Sequence, residues 1–502
     1  MKKLFNNTLA SLVDYAILVA LNLLATPLLI KYFGVDGYGA FVFLSIFSIY
    51  GALSFFDLGM EGSLMNYVPR MVLNGDRRKL QDTLFVSLGY YGLVGIILGL
   101  VFYAFGGIIA GRLLHDNAIL SQSSVLHAVT IISLMIFVQF LTVPFTAILQ
   151  GMRRFVVTKG LSVVMNILRY ALIIFVAVET GRIDYAFMVI LGLTVLRLLV
   201  LLIIFTFNVP QFQGIRLRFN FPLLRTLMSY TSLLFVYRLI GLIHNQIDKV
   251  LIWLYLVVSS MTIYDVVVRP ANILRLVLTV LNSAVIPEVA HLQETGDYPA
   301  IKRLYVRLVR FAYLILLPVL AAFYVFIDIL LRLWVGDRFV PYSYLSIIIL
   351  SVYLLLPIGS VASTMVVGLE RIRQTIWIPI SATVVNIILS VALLHWLGLA
   401  GLLIGTLVAD ISAAIPYLRF MKRTLSFGMM EIIKPLAAIF VVAIAAAGGY
   451  IGVRMLLTGM PYIQTAIAAG IFAVNLIVNY RLLLTESEKA FFKDFIRRRT
   501  PV

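Results

Sequence analysis

Apolar runs of about 20 to 25 residues recur along the whole chain, separated by short polar segments, which is the pattern of helices long enough to cross a bilayer. Fourteen such spans are predicted, at 9–33, 40–65, 83–110, 125–150, 160–178, 185–208, 228–254, 261–287, 308–331, 342–368, 375–394, 399–420, 433–457 and 460–484. Two of them, between Tyr230 and Pro287, are crossed by polar stripes at helical spacing. In the first, Thr231, Arg238, Asn245 and Lys249 lie within about 20° of one line at about 100° per residue. In the second, Asp265, Arg269, Asn272, Thr279 and Ser283 share a face flanked by Tyr264, Arg275 and Asn282. A charged side chain at the middle of a spanning helix costs about 2.5–3.5 kcal/mol on insertion scales, so these residues are expected to face a bundle interior or a wet cavity.

Composition agrees with that pattern. The 502 residues are 62% hydrophobic and 12% charged, too few polar groups to cover a soluble globule of this length. The ten-residue alternation of a transmembrane barrel is absent. The expected fold is therefore an all-α integral membrane protein. With no cysteine, thiolate metal sites, disulfides and thiol catalysis are excluded, and the five histidines have no metal-ligand spacing. No Walker A motif or other nucleotide signature occurs, and no metal or cofactor is implied.

Charge placement sets the topology. With the N-terminus inside, the inner segments hold 28 of the 40 lysines and arginines and the outer loops hold 6. The other 6 lie within spans: Arg169, Arg197, Arg238, Lys249, Arg269 and Arg275. This positive-inside bias places both termini in the cytoplasm. The basic tail, with Arg497, Arg498 and Arg499, reads as a contact with anionic lipid and a topology signal rather than a nucleic-acid site.

A repeat divides the chain. Gly151 and Gly368 each end a span, followed by Arg153-Arg154 and Arg371 and then by a span with a buried asparagine, Asn166 or Asn386. Pro69 and Pro287 each precede a Gly-Asp turn, Gly75-Asp76 or Gly296-Asp297. Two six-helix lobes in the same membrane orientation follow, related by a pseudo-two-fold axis along the membrane normal with a cavity between them. The expected layout is an N-lobe over 1–208, a cytoplasmic linker over 209–227, a C-lobe over 228–432 with its following loop, two accessory C-terminal helices over 433–484 and a tail over 485–502.

Against the six cations inside spans stand three acids at similar depth, Asp248, Asp265 and Asp410. Pure ion pairing would balance the two signs. An excess of cations in a low-dielectric cavity attracts anions, and guanidinium groups make forked hydrogen bonds to phosphate. Arg169, Arg197, Arg238, Asn245, Lys249, Arg269, Asn272 and Arg275 are thus the candidate substrate-binding residues, the alternative being ion pairs that hold helices together. Asp57 and Glu61, at i and i+4 on span two, and Asp410 on span twelve are candidates for ion coupling or for a gate. A structural pairing is the alternative for each. Ser162, Asn166, Arg169 and Tyr170, and in the second half Thr383, Asn386 and Ser390, offer donors and acceptors for sugar hydroxyls or for neighbouring helices. Pro144, Pro270, Pro318, Pro357, Pro379 and Pro416 interrupt spans and are candidate hinges.

The segments "LLIKYFGVDGYGAFVFLSIF" (residues 28–47), "FFDLGMEGSLMNYVPRM" (55–71), the Gly151 turn and "AVIPEVAHL" resemble polysaccharide exporters. These are the O-antigen and capsule flippases of the multidrug/oligosaccharidyl-lipid/polysaccharide exporter superfamily. The resemblance covers the whole chain in span number and lobes. It implies a non-enzymatic flippase that moves an undecaprenyl-pyrophosphate-linked oligosaccharide to the outer leaflet by alternating access. The implied partners are that lipid-linked glycan, membrane lipids, H⁺ or Na⁺, and polymerase and chain-length proteins. A multidrug efflux transporter of the same superfamily is the alternative, but it is expected to have a neutral or acidic cavity and twelve spans. A membrane-embedded glycan polymerase would need acid-rich outer loops, which this chain lacks.

The topology predicts that single cysteines at Asp36, Asn117, Asp184 and Gly336 react with an impermeant maleimide on intact cells. Those at Gly75, Gly214, Gly296 and Arg498 stay protected until the membrane is opened. Labelling of Gly296 from outside overturns the span count of the second half.

Overall fold

The computed structural model describes residues 2–47, 52–114, 121–208, 220–229, 232–282, 285–457, 460–479 and 481. These form helices without a strand among them: α1 (Lys2–Ser45), α2 (Met60–Leu73), α3 (Arg77–Ala104), α4 (Gly106–Leu114), α5 (Gln122–Gly151), α6 (Phe155–Thr180), α7 (Ile183–Asn208), α8 (Phe221–Ser229), α9 (Ser232–Tyr255), α10 (Val258–Asn282), α11 (Val285–Glu294), α12 (Tyr298–Val335), α13 (Ser343–Leu350), α14 (Leu356–Gly368), α15 (Ile372–Thr375), α16 (Trp377–Leu397), α17 (Leu399–Leu425), α18 (Met429–Leu456) and α19 (Pro461–Val478). Among the described residues, nine helices are long and apolar enough to cross a membrane, and a bent pair adds a tenth span. The chain is an all-α, multi-pass membrane protein. At 24 and 25 residues, α9 and α10 are also long enough to span. They fall outside the nine because each carries three charged side chains close together: Arg238, Asp248 and Lys249, or Asp265, Arg269 and Arg275.

Two compact units divide the chain within α10, at residues 1–266 and 267–502. In the first, α5 is the central helix, packed by α3, α7 and α2, while α1 lies along α6. Its core joins Val68, Met71, Leu80, Leu84, Phe145, Ile148, Leu149, Leu201 and Phe205. The short linker helix α8 rests on α2 and α3, where the buried Ser63 hydroxyl donates to Leu227 O at 2.5 Å. In the second unit, α12 is the long central helix and α16 packs along α17. The accessory helices α18 and α19 dock on α12. Polar ties that hold that docking include Lys302 to Glu431 at 2.5 Å, Arg454 to Asp328 at 2.6 Å and to Val325 O, and the Asn479 amide to Leu314 O at 3.2 Å.

Two predicted spans are not continuous helices. Gly34, with φ 76°, breaks the helical path inside α1. The expected span at 40–65 ends at Ser45 and resumes through a 3₁₀ turn at Ala52–Asp57 before α2. Leu58 and Gly59 both have positive φ there, and the Asp57 carboxylate accepts from the Glu61 N–H at 3.1 Å, so the new helix end is capped. The span at 342–368 bends by 49° just before α14. Pro357 sits in the first turn of α14; a proline is tolerated there but disfavours helix in the residue before it. The other candidate hinge prolines lie within or at the start of single helices.

The repeat has an exact backbone counterpart. At the end of α5, Met152, Arg153 and Arg154 donate their N–H groups to Ile148, Gln150 and Leu149; at the end of α14, Leu369, Glu370 and Arg371 donate to Met365, Val367 and Val366. Arg153 and Glu370 both have positive φ. A Cβ on Gly151 would lie 2.8 Å from Val68 Cβ, and one on Gly368 2.9 Å from Val289 Cβ, so the two glycines serve the same close helix contact. At the other turn, Asp76 accepts from the Lys79 N–H at 3.1 Å and Asp297 from the Ala300 N–H at 2.9 Å. Val68 and Gly75 match Val289 and Gly296 at one offset, so this contact, not Pro69 and Pro287, sets the register. In the later spans Gly151 and Gly368, and the positive-φ turns at Gly181 and Gly398, share a separation of 217 residues, as do the ends of Phe155–Thr180 and Ile372–Leu397. That register pairs Arg169 with Asn386 and Asn166 with Thr383, correcting the expected match of Asn166 with Asn386.

One labelling position needs correction. Asp184 is 4% exposed and held by Arg182 at 2.7 Å, so Thr180, which is exposed, is the usable position in that loop. Asn117, Gly214 and Arg498 lie outside the described residues.

Gly151→Ala and Gly368→Ala each insert a methyl group where no space exists and are expected to destabilise the fold by about 1–3 kcal/mol. Thermal unfolding in detergent checks this, with Gly107→Ala, where a Cβ meets nothing within 4 Å, as the control. The Asp76 carboxyl is held below its ordinary value first by the Lys79 backbone N–H and then by the Lys79 side chain. Its stabilising cap is fully present above the usual carboxylate pKa of about 3.9 and is lost as pH falls through the lowered folded value. Asp76→Ala is expected to lower stability at pH 7 and to remove that part of the acid sensitivity.

Candidate functional site

On α10 an unusual strip is exposed. Asn272, Arg275 and Thr279 follow one another at helical spacing and are all exposed, with Asp265 and Arg269 half-buried beside them. The exposed strips of α6 and α7 are made instead of side chains such as Val164, Phe175, Leu199 and Ile203. A polar exposed strip on a helix of spanning length does not suit hydrocarbon; it suits water or a polar ligand. On α9, Asn245 is exposed and its amide donates to Gly241 O at 2.6 Å, while Lys249, one turn on, is half-buried. The Arg238 side chain lies outside the described residues. Arg269, Asn272 and Arg275 belong to the second unit, and the other candidates named for binding belong to the first.

The acids of α9 and α10 meet tyrosines. Asp248 is 4% exposed and accepts from the Tyr264 hydroxyl at 3.0 Å. Asp265 accepts from the Tyr38 hydroxyl at 2.8 Å, and the Tyr38 ring is itself buried. Beside it, Thr262 donates to Val35 O at 2.5 Å, and a Cβ on Gly39 would lie 2.4 Å from Val258 O. Only glycine allows α1 to approach α10 so closely. At the C-terminal end of α9, Arg112 donates to Leu254 O at 2.7 Å and Trp253 O at 3.4 Å, the favourable place for a cation on a helix.

Arg169 and Arg197, near the middles of α6 and α7, are half-buried. Arg169 lies over the Tyr170 ring at 5.0 Å and donates to its hydroxyl at 3.3 Å. Asp57 accepts from the fully buried Tyr91 hydroxyl as well as capping α2, and Tyr90 donates to Phe56 O at 2.8 Å. This arrangement gives Asp57 a structural task at the break in span two. Glu61 and Asp410 are half-buried. Asp14 is paired with Lys159 at 3.2 Å, which ties α1 to α6. Asn386 and Ser390 are fully buried between α16 and α17: Ser390 donates to Asn386 Oδ1 at 2.8 Å and to Leu402 O at 3.2 Å. They hold helices together and are not available to sugars. No cluster of metal-ligating residues occurs among the described residues.

The sequence reading missed the tyrosines. Tyr38 and Asp265 are 227 residues apart, and Tyr91 lies 34 residues from Asp57. No periodicity links such positions, and an interfacial belt is the usual account of tyrosines near span ends.

Comparison with known proteins agrees with this architecture. Residues 75–344 match the family model described as polysaccharide biosynthesis protein. The chain belongs to that family. Its fold is similar to that of the lipid II flippase MurJ in an inward closed conformation, at TM-score 0.70 and 16% identity over 95% of this chain and 100% of that one. It is also similar to a multidrug resistance MATE transporter of the MOP superfamily, outward-facing at TM-score 0.59 and 15% identity, covering 85% of this chain and 96% of that one. The inward-facing form gives 0.58 and 15%, covering 84% and 94%. No curated protein sequence matches.

The Asp57 geometry predicts that Tyr91→Phe and Asp57→Ala destabilise the protein non-additively, with a coupling of about 0.5–3 kcal/mol in a double-mutant cycle of detergent melts. Asp57→Asn, which keeps an oxygen acceptor for both bonds, is expected to retain most of the stability. Additive losses would remove the structural role.

Proposed function

We propose that this protein is a flippase that carries a polyprenyl-pyrophosphate-linked oligosaccharide, such as an O-antigen, capsule or exopolysaccharide repeat unit, from the cytoplasmic to the outer leaflet. The observation that carries this reading is the exposed polar strip of α10, Asn272, Arg275 and Thr279, on a helix of spanning length in a chain whose family is concerned with polysaccharide biosynthesis. A sugar headgroup and a pyrophosphate require a wet, cationic path, and the polyprenyl tail can remain in lipid. The likeness to a lipid II flippase supports the same substrate class. A multidrug transporter also shares the fold, but the excess of cations over acids within the spans disfavours cationic drugs.

In this reading both termini are cytoplasmic, the cell membrane is the site of action, and alternating access is the mechanism. Each negative charge moved out of a negative interior gains about 2.3 kcal/mol per 100 mV, so the potential favours export. Coupling to H⁺ or Na⁺ would act through Asp410 or Glu61, while Asp57 has the structural task already described. A polymerase and chain-length proteins are the expected downstream partners.

The test is translocation of a fluorescent short-chain polyprenyl-pyrophosphate glycan in proteoliposomes. Transport toward the positive side under an imposed potential is expected. Arg269→Ala and Arg238→Ala should lower the rate at least tenfold at unchanged protein level, and the lysine variants should retain part of it because charge survives while the forked geometry is lost. Normal transport by both alanine variants, or efflux of cationic dyes in place of the lipid, overturns the reading.

A further inference from the structure

The turn between α2 and α3 and the turn between α11 and α12 have the same backbone. Asn74, Gly75 and Asp76 donate their N–H groups to Arg70, Val72 and Met71, and Thr295, Gly296 and Asp297 donate theirs to His291, Gln293 and Leu292. The positive-φ glycines and the capping aspartates match in the same register. The side chains do not. Arg70, Leu73, Arg77 and Arg78 stand where the second turn has His291, Glu294, Tyr298 and Pro299, and on both turns these residues are exposed. The fold therefore accepts an acidic or neutral turn at this place, and the cations of the first turn are an addition to it.

Positive charge on a short loop is accounted for by topology, but the apolar side chains among the charges are not. Leu73 is 82% exposed at the end of α2, with Val72 exposed beside it. The linker helix α8, which packs on both α2 and α3, repeats the combination. Its Leu223 and Leu227 face the protein, while Phe221, 67% exposed, and Arg225, one turn on, share the outward side. Such a side on a surface helix suits the boundary between lipid headgroups and acyl chains. The level of α8 agrees with that placement. Leu223 packs on the cluster that holds Met71, Leu80, Leu201 and Phe205. Leu201 and Phe205 belong to the last turns of the spanning helix α7, whose Phe207 is still 73% exposed near the helix end. The α2–α3 turn and α8 thus lie level with the end of a lipid-facing strip and not out beyond it. Of the acids nearest in sequence, Asp76 caps α3 and pairs with Lys79 at 3.1 Å, and Asp82 is half-buried.

We infer that the α2–α3 turn and α8 form a docking surface for anionic phospholipid headgroups at one membrane face, the cytoplasmic one in the topology set by charge. Arg70, Arg78 and Arg225 attract the headgroup phosphates, and Leu73 and Phe221 enter the acyl boundary. A lipid fits better than a soluble acidic partner because exposed apolar side chains accompany the cations at bilayer level. The surface uses none of the residues assigned to the substrate, and it does not depend on the flippase reading.

The sister turn supplies the control. The full chain, which has no cysteine of its own, is reconstituted in nanodiscs of phosphatidylcholine, and Leu73→Cys, Phe221→Cys and Glu294→Cys each carry a bimane fluorophore. Phosphatidylglycerol or phosphatidylcholine bearing a nitroxide on the acyl chain is added in turn at equal mole fraction, and quenching is compared. At Leu73 and Phe221 the anionic lipid should quench more strongly by about twofold or more, and at Glu294 the two lipids should quench equally. Raising the salt to about 1 M, where the Debye length is about 3 Å, should shrink the preference. Arg70→Gln, Arg78→Gln and Arg225→Gln combined should remove it while quenching by phosphatidylcholine remains. Quenching by neither lipid puts the surface in water and overturns the proposal in favour of a soluble partner. Equal quenching by the two lipids at Leu73 and Phe221 also overturns it, as does the same preference at Glu294 or a preference unchanged in the triple variant. Should the triple variant fail to fold, the Glu294 comparison and the salt response decide, and a preference that salt does not alter overturns it. None of these readouts requires transport, so a protein that does not flip lipid can still show the surface, and a working flippase can lack it.

Discussion

A charged or polar group inside hydrocarbon has to meet a partner, and that requirement organises this protein more than any single packing contact does. It explains where the acids go. Asp248 and Asp265 accept from Tyr264 and Tyr38, Asp57 accepts from Tyr91 and a backbone N–H, and Asp14 takes Lys159. A tyrosine hydroxyl satisfies a carboxylate without cancelling its charge. These four acids are held locally, and α10 presents Arg275 on an exposed strip with Asn272 and Thr279.

The same requirement shapes the breaks in the helices. Inside the membrane a helix can stop only where its free backbone groups find other partners. At span two the Asp57 carboxylate caps α2, and Gly59 supplies the left-handed turn. Close helix contacts are likewise set by backbone rather than by side-chain bulk: Gly151 on Val68, Gly368 on Val289, and Gly39 on Val258.

Duplication gives the architecture a built-in control. The Gly-Asp turns, the glycine-ended helices and their positive-φ successors occur in both halves with the same hydrogen bonds. These shared features make the fold. Other positions differ between the halves, Arg169 standing against Asn386 and Arg197 against Ala414.

Hydropathy alone determined that the chain is helical and crosses a membrane many times, because a 20-residue apolar run has few other stable states. The glycine turns also made the repeat visible, since positive φ restricts the residue type. The interruption of span two was not legible, because "FFDLGMEGSL" is apolar enough to read as one helix and only the capping by Asp57 and Tyr91 shows that it stops. Nor was the fate of Asn386 and Ser390: a polar stripe looks alike whether it faces a sugar or a neighbouring helix, and the close approach of Gly405 to Ser390 decided for the helix. Periodicity specifies which residues share a face of one helix. Which partner that face meets depends on contacts between segments up to 227 residues apart, and those only the tertiary structure decided.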